Sequence, residues 1–222
     1  MHALNWQEFG DHAQLAREAA DCLEAGLRAG LARRGLAVFA GAGGNTPGPI
    51  YDLLARADLD WARVQVMLTD ERCVPPDHGA SNSHLLRARL LQGPAAAAQW
   101  LALEAGPLAA PWPLDAALFG MGGDAHTLSW FARSMGLAAA LRADGPRGAL
   151  PITPEPLPPE APFARISLNR TAIADAACAV LAFTGAVKRT AFEAALHKPP
   201  EDAPVRALVE ALGARLRVMW AP

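Results

Sequence analysis

Four polar or glycine-rich segments carry the residues best suited to chemistry, and each follows a short apolar stretch. They are residues 41–47, 70–72, 122–127 and 185–188. In an open parallel sheet, ligands bind outside the carboxyl ends of the strands. If the apolar stretches are parallel strands, all four segments meet at one edge of the sheet. This convergence predicts an enzyme site.

The first segment contains Gly43, Gly44, Asn45 and Thr46 between an apolar strand and a helix. Backbone N–H groups at a helix N-terminus favour an anion, typically a phosphate. The dinucleotide fingerprint is absent because Thr46 occupies its third glycine position, and no Gly-Lys-Ser/Thr follows to make a P-loop. The alternative is an ordinary turn between a strand and a helix, and this loop alone does not decide between the two.

Lys188 is one of only two lysines and comes three residues after Gly185, in the first turn of an expected helix. A cation there opposes the helix dipole, at a cost of about 0.3–1 kcal/mol. A bound anion would offset that cost. The alternative is a solvated lysine that tolerates it.

Asp70, Glu71 and Arg72 follow the second apolar strand directly. Side chains alternate along a strand, so Asp70 and Arg72 should point the same way. The pattern predicts a carboxylate and a guanidinium facing one pocket. The alternative is a solvated turn.

His126 lies among the small residues of 122–127, and its neutral imidazole is suited to general-base work near pH 7. Most isolated histidines are structural, and His78 and His84 show no catalytic spacing. Only Asp124 is close enough in sequence to share a metal with His126, and two ligands make a weak metal site.

These residues must be positioned by alternating strands and helices. Continuous apolar strands predict a mostly parallel sheet with helices on both faces, a three-layer Rossmann-like α/β fold in one domain over residues 1–222. Residues 41–49 are expected to form a non-helical turn. Residues 93–113 and the proline-rich 146–162 should be irregular, and for the latter we favour a surface loop over a mobile lid. The expected helices are 12–33 (ended by Gly35), 50–57, 81–91 (capped by Ser81 or Asn82), 186–197 and one starting near Asp202 and Pro204; the expected strands are 36–40, 64–68, 114–121, 179–184 and 215–220.

Composition excludes several classes of protein. The net charge of −2 over 222 residues argues against a nucleic-acid clamp or a basic membrane-binding surface. No run of 18 apolar residues and no signal peptide is evident. The three cysteines are far apart in sequence and form no metal pattern, which suits a reducing compartment. We therefore expect a cytoplasmic protein.

Together the motifs resemble those of the 6-phosphogluconolactonase family, which belongs to a larger group that includes glucosamine-6-phosphate deaminases. The matching pieces occur in the family's order and span about residues 15–220. They are Gly43-Gly44-Asn45-Thr46-Pro47, Trp61, the strand 64–69 with Asp70-Glu71-Arg72, Val74-Pro75, Ser81-Asn82, residues 120–127, Arg165-Ile166-Ser167-Leu168 and Gly185-Ala186-Val187-Lys188.

The resemblance implies a role for each matching residue. His126 would activate water against the carbonyl of a 6-phosphogluconolactone, in the oxidative pentose phosphate pathway. Arg72 would stabilise developing negative charge, and Asp70 would orient water, substrate or His126. The 6-phosphate would be held by the loop Gly43, Gly44, Asn45 and Thr46 together with Lys188 and Arg165. No cofactor or obligatory metal is implied, and the protein should be a monomer or a weak homodimer.

The sequence departs from the family pattern at three places. Asn45 replaces a usual serine, and Ala125 replaces a glycine, so the turn there could differ because a non-glycine residue does not easily take a positive φ. Residues 128–132 read Leu-Ser-Trp-Phe-Ala where Ala-Ser-Leu-Phe-Pro is usual. None of these changes removes a charged candidate.

Three other functions compete with lactone hydrolysis. A glucosamine-6-phosphate deaminase or isomerase would usually have an aromatic residue at position 72. A non-catalytic sugar-phosphate sensor usually carries a DNA-binding domain, for which a first strand at residue 36 leaves no room. A dinucleotide-dependent oxidoreductase needs the missing third glycine.

Overall fold

The apolar stretches of the sequence form strands that lie side by side in the computed structural model, which describes residues 4–108, 112–159 and 161–222. Within these ranges the strands are β1 (Asn5–Glu8), β2 (Ala37–Gly41), β3 (Val64–Leu68), β4 (Asp70–Arg72), β5 (Gln99–Trp100), β6 (Gly106–Pro107), β7 (Ala116–Phe119), β8 (Gly148–Ile152), β9 (Arg165–Leu168), β10 (Cys178–Thr184) and β11 (Leu216–Ala221). The helices there are α1 (His12–Arg34), α2 (Pro47–Leu54), α3 (Asn82–Arg89), α4 (Leu137–Ala140), α5 (Arg170–Ile173), α6 (Ala186–Ala195) and α7 (Val205–Leu212). None of the described helices is both long enough and apolar enough to cross a bilayer.

The main sheet has seven strands in the order β1-β11-β10-β7-β2-β3-β5, and its neighbouring strands pair in parallel. From β2 the chain first adds β3 and β5 on one side and later adds β7, β10 and β11 on the other. The strand order therefore reverses between β2 and β7. In such sheets the crevice at the reversal point is where ligands bind.

Helices cover both faces of the main sheet, which confirms the predicted three-layer α/β fold. Along β2, Val38 and Phe39 point to opposite sides and both are fully buried. Phe39 packs in a cluster with Leu23 of α1, whereas Val38 belongs to a cluster with Leu208 of α7 and Leu168 of β9. Burial on both faces explains why these strands are continuously apolar.

A second sheet, which the sequence did not predict, packs beside the first. It is antiparallel with the order β4-β9-β8-β6. Residues 70–72 are its edge strand β4 rather than a turn, and Arg165 begins the neighbouring strand β9. The second sheet therefore carries three of the predicted site residues, Asp70, Arg72 and Arg165.

The expected turn over 41–49 is wrong for its last three residues, because α2 begins at Pro47 rather than Ile50. Proline is well accepted at the start of a helix, since its fixed φ suits the helix and the N–H it lacks would have no intrahelical partner there. The other predicted helices and strands are present, with bounds that differ mostly by one or two residues. Gly35 caps α1 and Ser81 caps α3, as the sequence indicated.

The two segments expected to be irregular contain strands. Residues 93–113 contribute β5 and β6, and 146–162 contributes β8, in which Ala149 and Ile152 are fully buried. Pro151 is tolerated because β6 pairs only with Gly148 and Ala149, so β8 has a single partner strand at position 151. Residues 109–111 and 160 lie outside the described residues.

Candidate active site

One solvent-open cavity at the reversal point is lined by every residue that the sequence proposed for the site. Its volume is about 190 Å³. It lies where the segments after β2, β3, β7 and β10 meet, as the expected parallel sheet requires. The predicted residues that line it are Gly43, Gly44, Asn45, Thr46, Asp70, Arg72, His126, Arg165 and Lys188.

The glycine loop can approach its neighbours closely because two of its residues lack a side chain. A Cβ atom on Gly43 would lie 1.8 Å from Oδ1 of Asn82, and Gly44 has a left-handed φ of 97°. The buried Tyr51 hydroxyl donates a 2.6 Å hydrogen bond to the carbonyl of Ala42 and so fixes the start of the loop. The loop leads into the N-terminus of α2, where backbone N–H groups favour an anion.

Asp70 and Arg72 both face the cavity, as the alternation along a strand predicted, whereas Glu71 points away. Glu71 accepts hydrogen bonds from Ser81 Oγ and from the backbone N–H groups of Asn82 and Ser83, all at 2.7–2.9 Å. A carboxylate at the start of α3 also suits the helix dipole. Glu71 therefore has a structural role.

Asp70 is buried, and hydroxyl groups hold both of its carboxylate oxygens. Ser129 Oγ donates at 2.6 Å and Thr69 Oγ1 at 3.1 Å. The amide of Asn82 donates to the backbone carbonyl of Asp70 at 2.8 Å. These contacts fix the carboxylate at the floor of the cavity.

Arg72 and Arg165 lie directly opposite each other in the antiparallel pair of β4 and β9. Arg72 Nη1 donates to Asn82 Oδ1 at 2.7 Å and to the carbonyl of Ala80 at 2.8 Å, while its buried Nε has no partner among the described residues. Arg165 is only 4% exposed and donates to the carbonyls of Phe163 and Ala161. Two like charges opposite each other are unfavourable unless an anion lies between them.

Electrostatics agree with this geometry. Burial and the neighbouring charge of Arg72 both lower the pKa of Arg165, although an arginine so perturbed is still charged at neutral pH. Among the residues described, no carboxylate lies within ion-pair distance of Arg72, Arg165 or Lys188. The cavity therefore has three cations available for an anionic ligand.

His126 is paired with Asp124, whose Oδ1 lies 2.5 Å from the imidazole Nδ1. Burial acts to raise the pKa of Asp124, but the hydrogen bond to His126 and the charge of His126 outweigh it. The pKa of Asp124 therefore lies below its usual value. A Cβ atom on Gly122 would lie 2.3 Å from the imidazole, so the glycine is needed for this arrangement. Because Asp124 engages Nδ1, Nε2 is the nitrogen left to accept a proton from water.

Ala125 adopts a left-handed φ of 63°, so the turn keeps the conformation that glycine would favour. A non-glycine residue is therefore accommodated at a positive φ here. The carbonyl of Ala125 accepts a 3.1 Å hydrogen bond from the N–H of Val205 at the start of α7. Such tertiary contacts offset a local cost of about 1–2 kcal/mol for an alanine in this region.

The segment after His126 contacts several site residues. The Phe131 ring stacks on His126 with centroids 4.0 Å apart and planes at 26°, and the Arg165 guanidinium lies 5.2 Å from the same ring. The segment turns through Leu128 with a φ of 51°, and Trp130 Nε1 donates to the carbonyl of Leu168 at 2.9 Å. The Phe131 ring thus contacts both the imidazole and the buried guanidinium.

Lys188 is half-buried in the first turn of α6. The helix begins directly after Gly185, which has a left-handed φ of 88°. Burial lowers the pKa of Lys188, and the charge of Asp124 raises it only in part. Trp220 Nε1 donates to the carbonyl of Gly185 at 3.1 Å and so supports the turn that presents the lysine. Both burial and the helix dipole disfavour the charged lysine unless an anion is bound.

Sequence reasoning missed four residues of the site. Asn82 and Ser129 hold Arg72 and Asp70, Asp124 contacts the imidazole, and Phe131 supports it. By sequence, Asp124 suggests a metal ligand and Asn82 a helix cap, and both belong to motifs shared with the family, but neither receives a role in the site. The described residues contain no cluster of three or more metal-binding side chains.

The chain matches known proteins along most of its length. The family described as glucosamine-6-phosphate isomerases/6-phosphogluconolactonase matches residues 10–220. The chain is 36% identical over 234 residues to a 6-phosphogluconolactonase of Mesorhizobium japonicum, covering 99% of this chain and 96% of that protein. It is 37% identical to one of Pseudomonas aeruginosa, covering 97% of this chain and 94% of that protein.

Solved structures show the same fold. A 6-phosphogluconolactonase from Shewanella baltica superposes with a TM-score of 0.89 at 29% identity, covering 99% of this chain and 98% of that one. A monomeric glucosamine-6-phosphate deaminase superposes with a TM-score of 0.73 at 16% identity, covering 98% and 97%. The second likeness shows the fold alone.

Proposed function

Because the chain belongs to the glucosamine-6-phosphate isomerase/6-phosphogluconolactonase family, we propose that it hydrolyses 6-phospho-D-glucono-1,5-lactone to 6-phosphogluconate. The observation that carries this proposal is the pairing of His126 with Asp124 in a cavity that also holds three cations, Arg72, Arg165 and Lys188. A base and an anion site in one cavity suit a phosphorylated substrate that reacts with water. The product would enter the oxidative pentose phosphate pathway.

His126 acts first as the general base. Its Nε2 takes a proton from a water molecule, whose oxygen attacks the lactone carbonyl carbon. Asp124 keeps the imidazole in the required tautomer and stabilises the imidazolium that forms, as a carboxylate beside a histidine does in other hydrolases. Phe131 supports the face of the ring.

The carbonyl oxygen gains negative charge as water adds. Arg72 stabilises that charge, because a guanidinium is always cationic and can donate two parallel hydrogen bonds. The ring C–O bond then breaks, and the imidazolium returns its proton to the departing ring oxygen. The lactone and one water are thereby converted to the open-chain acid. Asp70, held by Ser129 and Thr69, orients the substrate or the water.

The 6-phosphate is held away from the reacting carbon by Gly43, Gly44, Asn45, Thr46, Lys188 and Arg165. Backbone N–H groups of the loop and two cations match a dianionic phosphate. The unfavourable placement of Lys188 at a helix N-terminus supports this assignment. All of the proposed groups come from a single chain.

A deaminase or isomerase of amino-sugar phosphates is the second candidate, because it shares the fold. Arg72 favours the lactonase: a cation beside the reacting carbon suits a developing oxyanion, and its guanidinium is fixed by Asn82 and Ala80.

The test is to add freshly prepared 6-phosphogluconolactone to the protein and follow acid release. We expect a rate well above spontaneous hydrolysis, and no acceleration would refute the proposal. A parallel assay for ammonia release from glucosamine 6-phosphate is expected to show none. Ammonia release without lactone hydrolysis would establish the second candidate instead.

A further inference from the structure

Two cysteines that are 156 positions apart in sequence touch in the fold. Cys22 lies within α1 and Cys178 is the first residue of β10, and their Sγ atoms are 3.0 Å apart. Cys178 Sγ also lies 3.3 Å from the backbone carbonyl of Cys22. Both residues are free thiols, and Cys178 is partly exposed. Neither takes part in the proposed lactone chemistry.

The surrounding residues allow this close approach. Gly26 lies one turn after Cys22 on α1, and a Cβ atom there would lie 2.7 Å from the Cβ of Cys178. Any larger residue at position 26 would therefore push α1 away from β10. The helix and the strand are packed so tightly here that the two sulfurs need to move closer by only about 1 Å to bond.

The hydrogen bond between the two sulfurs favours the thiolate form of Cys22. The hydrogen bond from Cys178 lowers the pKa of Cys22, and the charge of Arg217 lowers it further, against the effect of burial. The same hydrogen bond and burial raise the pKa of Cys178. A thiolate, not a thiol, attacks an oxidant.

We propose that Cys22 and Cys178 are a disulfide-forming site, which links α1 to β10 when the protein meets a peroxide. The Cys22 thiolate attacks one oxygen of hydrogen peroxide, an S–O bond forms, and the O–O bond breaks to release hydroxide, which takes up a proton as water. The Cys178 sulfur then attacks the Cys22 sulfur, the S–S bond forms, and the S–O bond breaks. The leaving hydroxide takes the Cys178 proton, so two thiols are oxidised and one peroxide becomes two waters.

The disulfide should stabilise the folded protein and should not inhibit lactone hydrolysis. Cys178 starts β10, and the cavity is reached at Ala182 of the same strand, roughly 13 Å further along. The link would close a very long loop of chain, which restricts the unfolded state strongly. We expect the melting temperature to rise by about 10 °C on oxidation, while the rate of lactone hydrolysis stays unchanged.

The experiment uses the full chain, freed of reductant and treated with hydrogen peroxide. Free thiols are counted after denaturation, and peptides are mapped without reduction. We expect the count to fall from three to one, a linked peptide pair that contains Cys22 and Cys178, and a higher melting temperature that dithiothreitol reverses. Three remaining thiols, or oxidation of Cys22 and Cys178 to sulfinic acids without a link, would overturn the proposal.

The exposed Cys73 supplies a matched control. Cys73→Ser should keep both the link and the rise in melting temperature, whereas Cys178→Ala should lose both. If Cys178→Ala does not fold, the comparison of oxidised and reduced Cys73→Ser decides by itself. A stabilisation that disappears in Cys73→Ser would assign the effect to dimers linked through Cys73 and refute the site. Because its readouts are thiols and melting, this test is independent of the lactonase assay.

Discussion

Two unlike regions face each other across the cavity. The anion side, which we define as residues 43–46, Arg72, Arg165 and Lys188, combines the glycine loop with two paired strands and a helix start. Hydrogen bonds to neighbouring backbone hold Arg72, Arg165 and the turn before Lys188. The base loop, residues 122–133, follows β7 and contains three non-glycine residues with a left-handed φ. The side chain of His126 is 28% exposed, and that of Asp124 is 59% exposed.

The difference is consistent with the proposal that one side of the cavity binds the phosphate and the other transfers the proton. Groups that bind a phosphate gain from being fixed before the ligand arrives, because less entropy is then lost on binding. His126, the proposed base, needs access to water, and its loop holds the strained backbone often found at functional sites. Binding and proton transfer should therefore respond to different substitutions.

The largest effect is expected for His126→Ala, which removes the base and leaves the anion side intact. The turnover number should fall by about 10²–10⁴-fold, while binding of 6-phosphogluconate changes little. Initial rates, corrected for spontaneous hydrolysis, and calorimetric titration with the product measure the two quantities. His84→Ala, at an exposed position on α3, is the control and should behave as the wild type. Full activity in His126→Ala would place the base elsewhere.

Lys188→Ala should weaken substrate binding and leave the turnover number nearly unchanged. Loss of a contact made equally in the ground and transition states raises KM, by about 10–100-fold here, with little change in kcat. Lys198, the other lysine in the chain, is exposed, so Lys198→Ala is the matched control. An unchanged KM in Lys188→Ala would move the phosphate away from α6.

The lowered pKa of Lys188 adds a pH dependence. As pH rises through the lowered pKa of Lys188, the ammonium loses its charge and 6-phosphogluconate binds more weakly. The dissociation constant should therefore begin to increase at a lower pH than it would with an ordinary lysine. In Lys188→Arg the charge persists and this increase should vanish. Between the folded and the unfolded pKa the unfolded chain binds more protons, so the stability of the ligand-free wild type should rise with pH there. A binding constant independent of pH would contradict the contact.

Phe131→Leu tests the link between the two regions, since the ring contacts both His126 and Arg165. Loss of the aromatic contacts should lower kcat/KM by about 2–10-fold. Phe131→Tyr keeps the ring and should retain activity close to that of the wild type. The Phe163 ring meets His78 edge to face, so Phe163→Leu serves as the control. Equal losses in Phe131→Leu and Phe163→Leu would show that Phe131 has no special role.

The smallest effect is expected for Ala125→Gly. Glycine relieves the left-handed conformation but gives the unfolded chain more freedom, so the net gain is about 0.5–1 kcal/mol, or about 2–3 °C in melting temperature. Activity should change less than twofold. Ala174 has an ordinary φ of −62°, and Ala174→Gly should lower the melting temperature instead. A fall in both variants would mean that position 125 is unstrained.

Much of the architecture was predictable because it depends on local patterns. Continuous apolar strands, most of them separated by helices, indicated a buried parallel sheet, and parallel strands bring the segments after them to one edge. The second sheet was not predictable in the same way. β4 has three polar residues, and β8 contains a proline in a segment rich in prolines. Their pairing depends on partners far away in sequence, for which no periodic signal exists.

The sequence by itself determined which residue types end the strands of the main sheet, and hence that a base, a carboxylate and several cations share one cavity. Only the tertiary structure decided their partners. It placed Arg165 opposite Arg72, Asp124 rather than Asp70 against the His126 imidazole, and Ser129 on Asp70. The physical reason is that alternation and periodicity fix the direction of a side chain within its own element. Hydrogen-bond geometry between elements is set by packing, which brings together residues remote in sequence.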